Sequence, residues 1–519
     1  MLAFWLLVAV AIGLGAVAPV GDRAGVRQDR DVTITRAWVE HWRAAPERIV
    51  LVDAVHGSAW SGRRVELRSA VFAASLESRG VRPGDRVLLS CSPSLETVVA
   101  YVGILRLGAV VVPTNTSYTR GELEHIVGDV RPVLAVTDSG DVDRIPPLAL
   151  EPVSKEQSRD TPIGADRAAW VADRLDLEPD DALAMVAYTS GTTGRPKGAM
   201  LTRGNLRTGA EALVEAWRWT PHDRLVHALP MFHMHGLGAA INGSFAAGAS
   251  MVVLPRFDAD AVVAAVHVHD ATMFFGVPTM YARLRDAGRL TDLAHLRLLV
   301  SGSAPLDPVL FHAVAAQAGQ APVERYGMSE TVMLCSNPVE GERRAGSVGL
   351  PLPAVDLRLG EGGGVEVLGP NVFGGYWERP DANAAAFTDD GWFRTGDIGE
   401  LDPDGYLRLV GRASDLIITG GYNVYPREVE DAILEHPDVV DVAVVGLPDD
   451  TWGETVAAFV VLREGASYDA DALAEALTAH VEPRLAAFKR PRRWTPTDAL
   501  PRNAMGKVRR DALRDTAAP

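Results

Sequence analysis

A segment rich in glycine and hydroxyl residues, followed by one lysine, lies in the middle of the chain. It consists of Thr189, Ser190, Gly191, Thr192, Thr193, Gly194 and, three residues later, Lys197. Glycine adopts positive φ angles without steric cost, so such a segment can turn several backbone N–H groups towards one anion. The hydroxyls add donors and the lysine adds a positive charge. The segment therefore predicts a phosphate-binding loop.

The loop differs from the common nucleotide-binding pattern G-x-x-x-x-G-K-[ST], because Gly198 and not a hydroxyl residue follows Lys197. A plain surface loop of small residues is the alternative. The stretch YTSGTTGRPKGAM (188–200) resembles the phosphate loop of the AMP-forming acyl-CoA synthetases. These enzymes belong to the adenylate-forming superfamily, together with luciferases and the adenylation domains of peptide synthetases.

The motif ERYGMSET (324–331) extends the resemblance to a nucleotide and metal site. In that family the tyrosine matching Tyr326 stacks on adenine, and the acid matching Glu330 holds Mg²⁺. The hydroxyl matching Thr331 or Ser329 reaches a phosphate. Gly327 is predicted to line the same site. Ser303, in the small-residue stretch SGSAPL (301–306), is predicted to allow the close approach of adenine.

Four further residues receive roles from the resemblance. Asp397 matches the carboxylate that accepts hydrogen bonds from both ribose hydroxyls, and Arg412 matches the arginine on the ribose and phosphate side. Lys507, in the pattern Pro-x-x-x-x-Gly-Lys (501–507), matches the lysine that inserts into the site for adenylation. His233, in HALPMFHMHGLG (227–238), matches a histidine in the wall of the acyl pocket. Its neighbour His235 receives no role. Thr189, His233, Glu330 and Lys507 form the predicted catalytic set.

The predicted organisation is α/β, with a large and a small domain. A chain of 519 residues is too long for one ordinary core. The β-α-β rhythm of residues 34–187 predicts mainly parallel sheets covered by helices. We expect an N-terminal AMP-binding domain at residues 31–412 and a mobile α+β domain at residues 413–519, with the hinge at Ser414. Residues 139–180 are expected to form an irregular surface connection. Gly420, Gly421 and Tyr422 are predicted to line the channel for the pantetheine arm of coenzyme A.

The composition limits which binding partners and which cellular compartment we expect for this protein. The net charge of −16 argues against a general nucleic-acid binder. Cys91 and Cys335 have neither metal-ligand nor disulfide spacing, which fits a reducing cytosol. Residues 1–20 carry no charge and approach the roughly 20 residues that span a bilayer. They remain open to three interpretations, namely a dispensable or misassigned extension, a membrane anchor, or a secretion signal. The expected location is cytoplasmic, with membrane contact through residues 1–20 as the open alternative.

The predicted reaction is the ATP- and Mg²⁺-dependent activation of a carboxylic acid to an acyl-adenylate, followed by transfer of the acyl group to coenzyme A. The motifs look closest to malonyl-CoA synthetases, and Arg256 and Arg325 are candidates to hold a second carboxylate. Malonate or methylmalonate is therefore the predicted acid. A medium- or long-chain fatty acid–CoA ligase is the main alternative. Two further enzymatic alternatives are a stand-alone adenylation enzyme and a luciferase-like oxygenase. The non-enzymatic alternative is a scaffold protein whose active site has decayed.

Overall fold

Six stretches of the chain, together with one isolated residue, carry the fold. The computed structural model describes residues 33–138, 145, 149–152, 174–189, 196–466, 468–502 and 507–517. Two sequence predictions lie outside these ranges, namely the apolar segment 1–20 and phosphate-loop residues Ser190, Gly191, Thr192, Thr193 and Gly194.

The strands, in chain order, are β1 (Ile49–Asp53), β2 (Ala59–Ser61), β3 (Arg86–Ser90), β4 (Val110–Pro113), β5 (Leu134–Thr137), β6 (Ala149–Pro152), β7 (Leu183–Thr189), β8 (Lys197–Thr202), β9 (Arg224–His227), β10 (Ser250–Val253), β11 (Met273–Gly276), β12 (Leu298–Ser301), β13 (Val323–Tyr326), β14 (Cys335–Ser336), β15 (Leu350–Pro351), β16 (Asp356–Leu359), β17 (Gly364–Leu368), β18 (Phe393–Leu401), β19 (Leu407–Arg412), β20 (Ile417–Thr419), β21 (Tyr422–Val424), β22 (Val439–Asp449), β23 (Gly453–Leu462) and β24 (Arg493–Pro496). The α-helices are α1 (Ile34–Ala44), α2 (Gly62–Ser78), α3 (Leu95–Arg106), α4 (Arg120–Val130), α5 (Arg203–Ala216), α6 (Asn242–Ala246), α7 (Ala259–Val268), α8 (Pro278–Asp286), α9 (Pro308–Ala318), α10 (Pro380–Ala386), α11 (Pro426–Leu434), α12 (Ala470–Val481) and α13 (Arg510–Ala517).

The largest sheet has the order β15-β14-β13-β12-β11-β9-β10-β1-β2. Strands β1 and β9 to β13 run parallel, and the strands at the two edges are antiparallel. The parallel strands β10 to β13 are buried along their whole length, which explains the mostly apolar sequences of β10 to β12. Strand β13 is buried too, although its sequence, VERY, contains Glu324 and Arg325. Ligands of such sheets bind beyond the carboxyl ends of the strands. Those ends carry His227, Ser301 and Tyr326.

The second sheet has the order β6-β5-β3-β4-β7-β8, and all its neighbouring strands are parallel except β7 and β8. The antiparallel pair β7–β8 forms a hairpin around the predicted phosphate loop, with Thr189 opposite Lys197. The prediction of an irregular connection at residues 139–180 was wrong for β6. This strand pairs with the edge of β5, where unpaired backbone groups are available to a short extended segment.

A four-stranded antiparallel sheet, β16-β17-β18-β19, follows the large sheet in sequence. Strands β16 and β17 form a glycine-rich hairpin. Gly362 and Gly363 form its turn with φ angles of +63° and +79°. These angles lie in the left-handed region that favours glycine.

The last sheet, β21-β20-β23-β22 with β24 beside β23, belongs to the predicted small α+β domain. Helices α11 and α12 pack on it around a separate apolar core. Pro426 stands at the first position of α11, where its missing N–H costs nothing. The α/β class with a large and a small domain is thus confirmed. Residues 33–519 cluster into one compact unit, and the boundary at residue 412 remains a prediction.

Local sequence signals account for most element boundaries. Helix α1 begins at Ile34, because the Thr33 hydroxyl caps it by accepting a hydrogen bond from the Arg36 N–H. Strand β9 ends at His227, three residues before Pro230. Within the described ranges, no helix is both long and apolar enough to cross a membrane.

Candidate active site

Buried Tyr326 and Asp397 form a bonded group with Arg412, whose side chain is partly exposed. The Tyr326 hydroxyl donates to Asp397 Oδ2 at 2.5 Å, and Arg412 Nε lies 2.9 Å from Asp397 Oδ1. The register of β18 and β19 creates the ion pair, because it sets Asp397 directly opposite Arg412. Burial, together with the Asp397 charge, raises the pKa of Tyr326 well above its ordinary value, so its hydroxyl remains a donor. The Asp397 charge raises the pKa of Arg412.

Glu330 is the second buried carboxylate of the site. Its Oε1 accepts a hydrogen bond of 2.9 Å from the Tyr376 hydroxyl. Burial raises the pKa of Glu330, an effect that Tyr376 and Arg412 oppose. The Lys197 ammonium stands 5.4 Å from the centre of the Tyr376 ring, so one tyrosine links the predicted phosphate loop with the predicted metal ligand.

The turn that presents Glu330 has a constrained backbone. A Cβ on Gly327 would come within 2.5 Å of the Val332 carbonyl oxygen, so only glycine fits there. Val332 adopts a φ of +58°, which is uncommon for a β-branched residue. The Asn371 amide holds the turn by donating to the carbonyls of Thr331 and Met333 at 2.9 and 2.7 Å. Strain that is held in this way is typical of functional turns.

Thr189 and Lys197 close the base of the predicted phosphate loop. The Thr189 hydroxyl donates to the Lys197 carbonyl at 3.4 Å, and both residues belong to the β7–β8 hairpin. The sequence placed Lys197 in the loop itself. In the structure it is the first residue of β8, so its side chain projects from a strand.

Lys507 reaches the same group from the small domain. The stretch that carries it is closed by the pairing of Arg502 with Val508 and by an N–H of Arg509 that donates to the Pro501 carbonyl at 2.7 Å. Lys507 is exposed to solvent, and the protein atoms around its amine remove part of its hydration. This desolvation lowers the pKa of Lys507, and the positive charges of Arg412 and Arg325 lower it as well. The carboxylates of Asp397 and Glu330 act in the opposite direction and raise it. The residue therefore lies within electrostatic range of four predicted site residues.

His233 is neutral and has a defined tautomer. The backbone N–H of His235 donates to His233 Nδ1 at 3.3 Å, which leaves the ring proton on Nε2. Burial, together with the charges of Lys507 and Arg325, lowers the pKa of His233 to about 3. The ring can therefore donate one hydrogen bond at neutral pH.

Arg325 is a buried guanidinium at the end of β13, in contact with Ser303 and through it with His235. Its Nη2 donates to the Ser303 hydroxyl at 3.3 Å, and that hydroxyl lies 3.3 Å from His235 Nδ1. Gly302 makes the close packing possible, since a Cβ there would lie 2.4 Å from Arg325 Nε. Burial lowers the pKa of Arg325 to about 9, which leaves it charged at neutral pH.

Other predicted residues lie apart from this group. Arg256 is solvent-exposed after β10 and makes no hydrogen bond or ion pair with any residue described here. The turn with Gly420, Gly421 and Tyr422 joins β20 to β21. The Tyr422 side chain is 57% exposed there and stacks on Phe488 at 4.6 Å. Ser414 is exposed in the short 3-10 turn Ala413–Asp415 between β19 and β20, where a hinge was predicted.

Sequence reasoning missed Tyr376 and His235. Tyr376 lies in the stretch GGYW (374–377), whose paired glycines and aromatic residues were the one available signal. His235 was left without a role, because nothing in the order of residues showed that its ring would meet Ser303. Both contacts join residues more than 40 positions apart.

The site fits Mg·ATP. Burial raises the pKa of Glu330, and a nearby cation would stabilise its charged form. The buried Thr331 hydroxyl has no hydrogen-bond partner among the described atoms, so it is available to a ligand. The ribose hydroxyls would meet Asp397 and Arg412. In the described ranges, no group of three or more His, Cys, Asp or Glu side chains could hold a metal. One carboxylate, with phosphate oxygens and water, is the usual way in which proteins bind Mg²⁺.

Comparison with known proteins identifies the class. The family model for AMP-binding enzymes matches residues 38–377, and the model for the AMP-binding enzyme C-terminal domain matches residues 428–507. The chain belongs to the AMP-binding enzyme family. It is an adenylate-forming acyl-CoA synthetase, an acid–thiol ligase that uses ATP, Mg²⁺ and coenzyme A.

Three relatives show the range of similarity. The structure of ATP-bound MatB from Rhodopseudomonas palustris is 39% identical, with a TM-score of 0.86 over 93% of this chain and 99% of that one. The mitochondrial malonate–CoA ligase of Mus musculus is 34% identical over 90% of this chain and 88% of its own. A long-chain-fatty-acid–CoA ligase of Bacillus subtilis is also 34% identical, over 85% of this chain and 87% of its own. Identity alone therefore does not select the acid.

Proposed function

We propose that the preferred acid is malonate or methylmalonate. The observation that carries this proposal is the buried charge of Arg325. Its Nε has no hydrogen-bond partner, and no carboxylate pairs with the guanidinium among the residues that the structure describes. A buried unpaired charge is costly, so such a group is expected to find its partner in a ligand. The second carboxylate of a short diacid supplies that partner.

The charges around His233 also favour a short diacid. Arg325 and Lys507 both act electrostatically on the His233 ring, which supports one shared site for the three groups. The reacting carboxylate would lie near Lys507 and the His233 Nε2 proton. The distal carboxylate would then meet Arg325 after few intervening carbons.

The packing beside the π-helical turn His235–Ile241 disfavours a long acyl chain. A Cβ on Gly238 would lie 2.5 Å from Met234 Cε and 3.0 Å from a Val332 methyl. A Cβ on Gly243 would lie 2.5 Å from the Trp219 ring. These side chains fill the space next to the turn, and a fatty acyl tunnel along it would require them to move.

The other candidate reactions lack comparable support. A peptide-synthetase adenylation enzyme needs an acidic side chain to hold the substrate amine. The charges that act on His233 are instead the positive charges of Lys507 and Arg325. The fatty acid–CoA ligase remains the main alternative because of the Bacillus subtilis relative. A luciferase-like oxygenase would share every motif and is tested by light emission in air.

We also propose that the two half-reactions use two arrangements of the domains, with the boundary between Arg412 and Ala413. For adenylation, Lys507 and the phosphate loop stabilise the negative charge on the phosphates, and Glu330 would hold Mg²⁺, while the substrate carboxylate attacks the α-phosphorus and pyrophosphate leaves. When bound, Mg²⁺ neutralises the charge of the departing pyrophosphate. The small domain then turns about Ser414, withdraws Lys507 and brings Gly420–Tyr422 to the site for coenzyme A. Catalysis rests on positioning and electrostatics, since the substrates supply both nucleophiles.

The decisive test is pyrophosphate release over a panel of acids with the purified enzyme. We expect malonate or methylmalonate to have a higher kcat/KM than acetate, octanoate and palmitate. A site built around a polar partner typically rejects analogues without that partner by about 10⁴-fold. Turnover of octanoate or palmitate with none of malonate would overturn the proposal.

Replacement of Glu330 by glutamine should abolish Mg²⁺-dependent pyrophosphate release while the fold is retained. An amide is a poor ligand for a hard cation, and glutamine keeps the acceptor for the Tyr376 hydroxyl. The measurement is the initial rate against Mg²⁺ concentration, with Glu435→Gln, an exposed carboxylate paired with Arg484, as the control. If Glu330→Gln matches the wild type at limiting Mg²⁺, the residue is not the metal ligand.

A further inference from the structure

A two-residue turn in the small domain is built against Trp452. Gly420 and Gly421 connect β20 to β21, where Thr419 pairs with Tyr422. Their φ angles of +56° and +82° are both positive, which is the pattern of a type I′ hairpin turn. A Cβ on Gly420 would lie 2.7 Å from Trp452 Cε3, so the indole lies directly against the backbone of the turn. Glycine is therefore required at position 420 for two reasons, its φ angle and its contact with the ring.

The backbone around Trp452 fixes the place of its ring. The Gly420 N–H donates to the Trp452 carbonyl at 2.8 Å. The N–H groups of Thr451 and Trp452 both donate to Asp449 Oδ1, at 2.9 and 3.0 Å. Trp452 is 42% exposed and does not belong to the apolar core of the small domain. Its ring instead packs on the turn.

Arg492 covers the indole and reaches the turn as well. Its guanidinium carbon lies 4.0 Å from the centre of the Trp452 ring, within the range of a cation–π contact. Its Nη1 donates to the Thr419 hydroxyl at 3.3 Å, directly before the turn. The Arg492 backbone N–H donates to the Val456 carbonyl at 2.9 Å, which anchors the arginine to β23. Trp452 and Arg492 therefore form one unit that contacts the end of β20 and the first glycine of the turn.

We propose that Trp452 and Arg492 are positioning residues that hold the Gly420–Gly421 turn in the shape that receives the pantetheine arm of coenzyme A. Two consecutive glycines have large backbone freedom, so an unsupported turn of this kind loses much conformational entropy when it contacts a ligand. The indole and the guanidinium limit that freedom in advance, and preorganisation tightens binding. Neither side chain touches the coenzyme in this scheme. The proposal rests on the proposed second arrangement of the domains and is independent of the identity of the acid.

The test is thioester formation from supplied acyl-adenylate at increasing concentrations of coenzyme A, with pyrophosphate release from acid and ATP measured in parallel. We expect Trp452→Ala to raise the KM for coenzyme A by about three- to thirtyfold, the ratio for loss of one cation–π contact, and to leave pyrophosphate release within about twofold. Arg492→Met, which keeps a long side chain without the charge, should act in the same way. Trp452→Phe keeps an aromatic face and should restore a KM near that of the wild type. Because both residues act on one turn, the double variant should raise the KM by less than the product of the two single effects.

Two matched controls lie in the same domain. Trp494→Ala removes an indole whose N–H donates to the Thr478 hydroxyl at 3.1 Å. Arg463→Met removes an exposed guanidinium just beyond the other end of β23, where its Nε donates to the Pro437 carbonyl at 3.1 Å. Both controls should keep the KM of the wild type for coenzyme A.

The outcomes separate this proposal from the scheme of two domain arrangements. Lys507→Ala tests that scheme on its own, through the relative loss of the two half-reactions. An unchanged KM for coenzyme A in both Trp452→Ala and Arg492→Met would overturn the positioning role. Equal losses in pyrophosphate release and thioester formation in these two variants would overturn it as well, since a residue that acts only through the turn affects the second half-reaction alone.

Discussion

Replacing Lys507 with alanine is expected to reduce acyl-adenylate formation by about 10²–10³-fold, the usual effect of losing one preorganised donor to a developing negative charge. The structure provides the reason, because Lys507 lies in electrostatic range of Asp397, Glu330 and Arg412. The same variant is expected to convert supplied acyl-adenylate and coenzyme A to the thioester at a rate near that of the wild type. In the second arrangement of the domains the lysine has left the site.

The two half-reactions are measured separately, as pyrophosphate release from acid and ATP and as thioester formation from acyl-adenylate. Arg509→Ala is the matched control, because Arg509 lies two residues further along, is exposed and pairs with Asp511. It should leave both rates unchanged. If Lys507→Ala reduces both half-reactions equally, alternation of the small domain between two arrangements is refuted.

Replacing Arg325 with alanine is expected to abolish the preference for malonate, a change of about 10⁴ in the ratio of kcat/KM for malonate to that for acetate. The guanidinium is buried, carries its charge at neutral pH and lacks a carboxylate partner among the described residues. Removing the guanidinium takes away the partner of malonate's distal carboxylate. It also removes the cost of leaving a buried charge unpaired, which is the penalty that a monocarboxylic acid meets. The kcat for acetate should therefore be retained.

Three further variants make this result specific. Arg325→Met keeps most of the side-chain volume against Gly302 without the charge, and it should behave like the alanine variant. Arg256→Ala tests the second predicted arginine, which the structure leaves exposed. Arg63→Ala removes an arginine that pairs with Glu47 on the surface and serves as the control. A malonate preference that survives both Arg325 variants would assign the selection of the acid to other residues.

Much of the site could be predicted from the sequence because its chemistry is carried by short motifs. The turn at residues 327–333 needs glycine where a Cβ would strike the Val332 carbonyl, and that need is visible as the G of ERYGMSET. The β-α-β rhythm likewise predicted parallel sheets, since buried parallel strands are apolar throughout. The confirmed α+β domain followed from Pro426 and the two long apolar strands after it.

Other features depended on contacts between residues far apart in the chain. Strand β6 was missed because, among the residues that the structure describes, it pairs with the edge of β5 alone, and its own sequence, ALEP, is not typical of a strand. The sequence contained Asp397 and Arg412 but not their pairing, which the register of β18 and β19 determines. Tyr376 was missed for a similar reason, since its contact with Glu330 spans 46 positions.

The sequence by itself determined the class of the protein and the reaction, and it predicted the residues that meet ATP, because each of these rests on local patterns of residue type. Tertiary structure alone decided that Arg325 is buried with Ser303 and His235 while Arg256 is exposed. It also decided that side chains of α4 contact Tyr188 and Pro196, the described residues on either side of the predicted phosphate loop. Burial and pairing are properties of the packed chain, because they depend on which distant segments exclude water from a side chain.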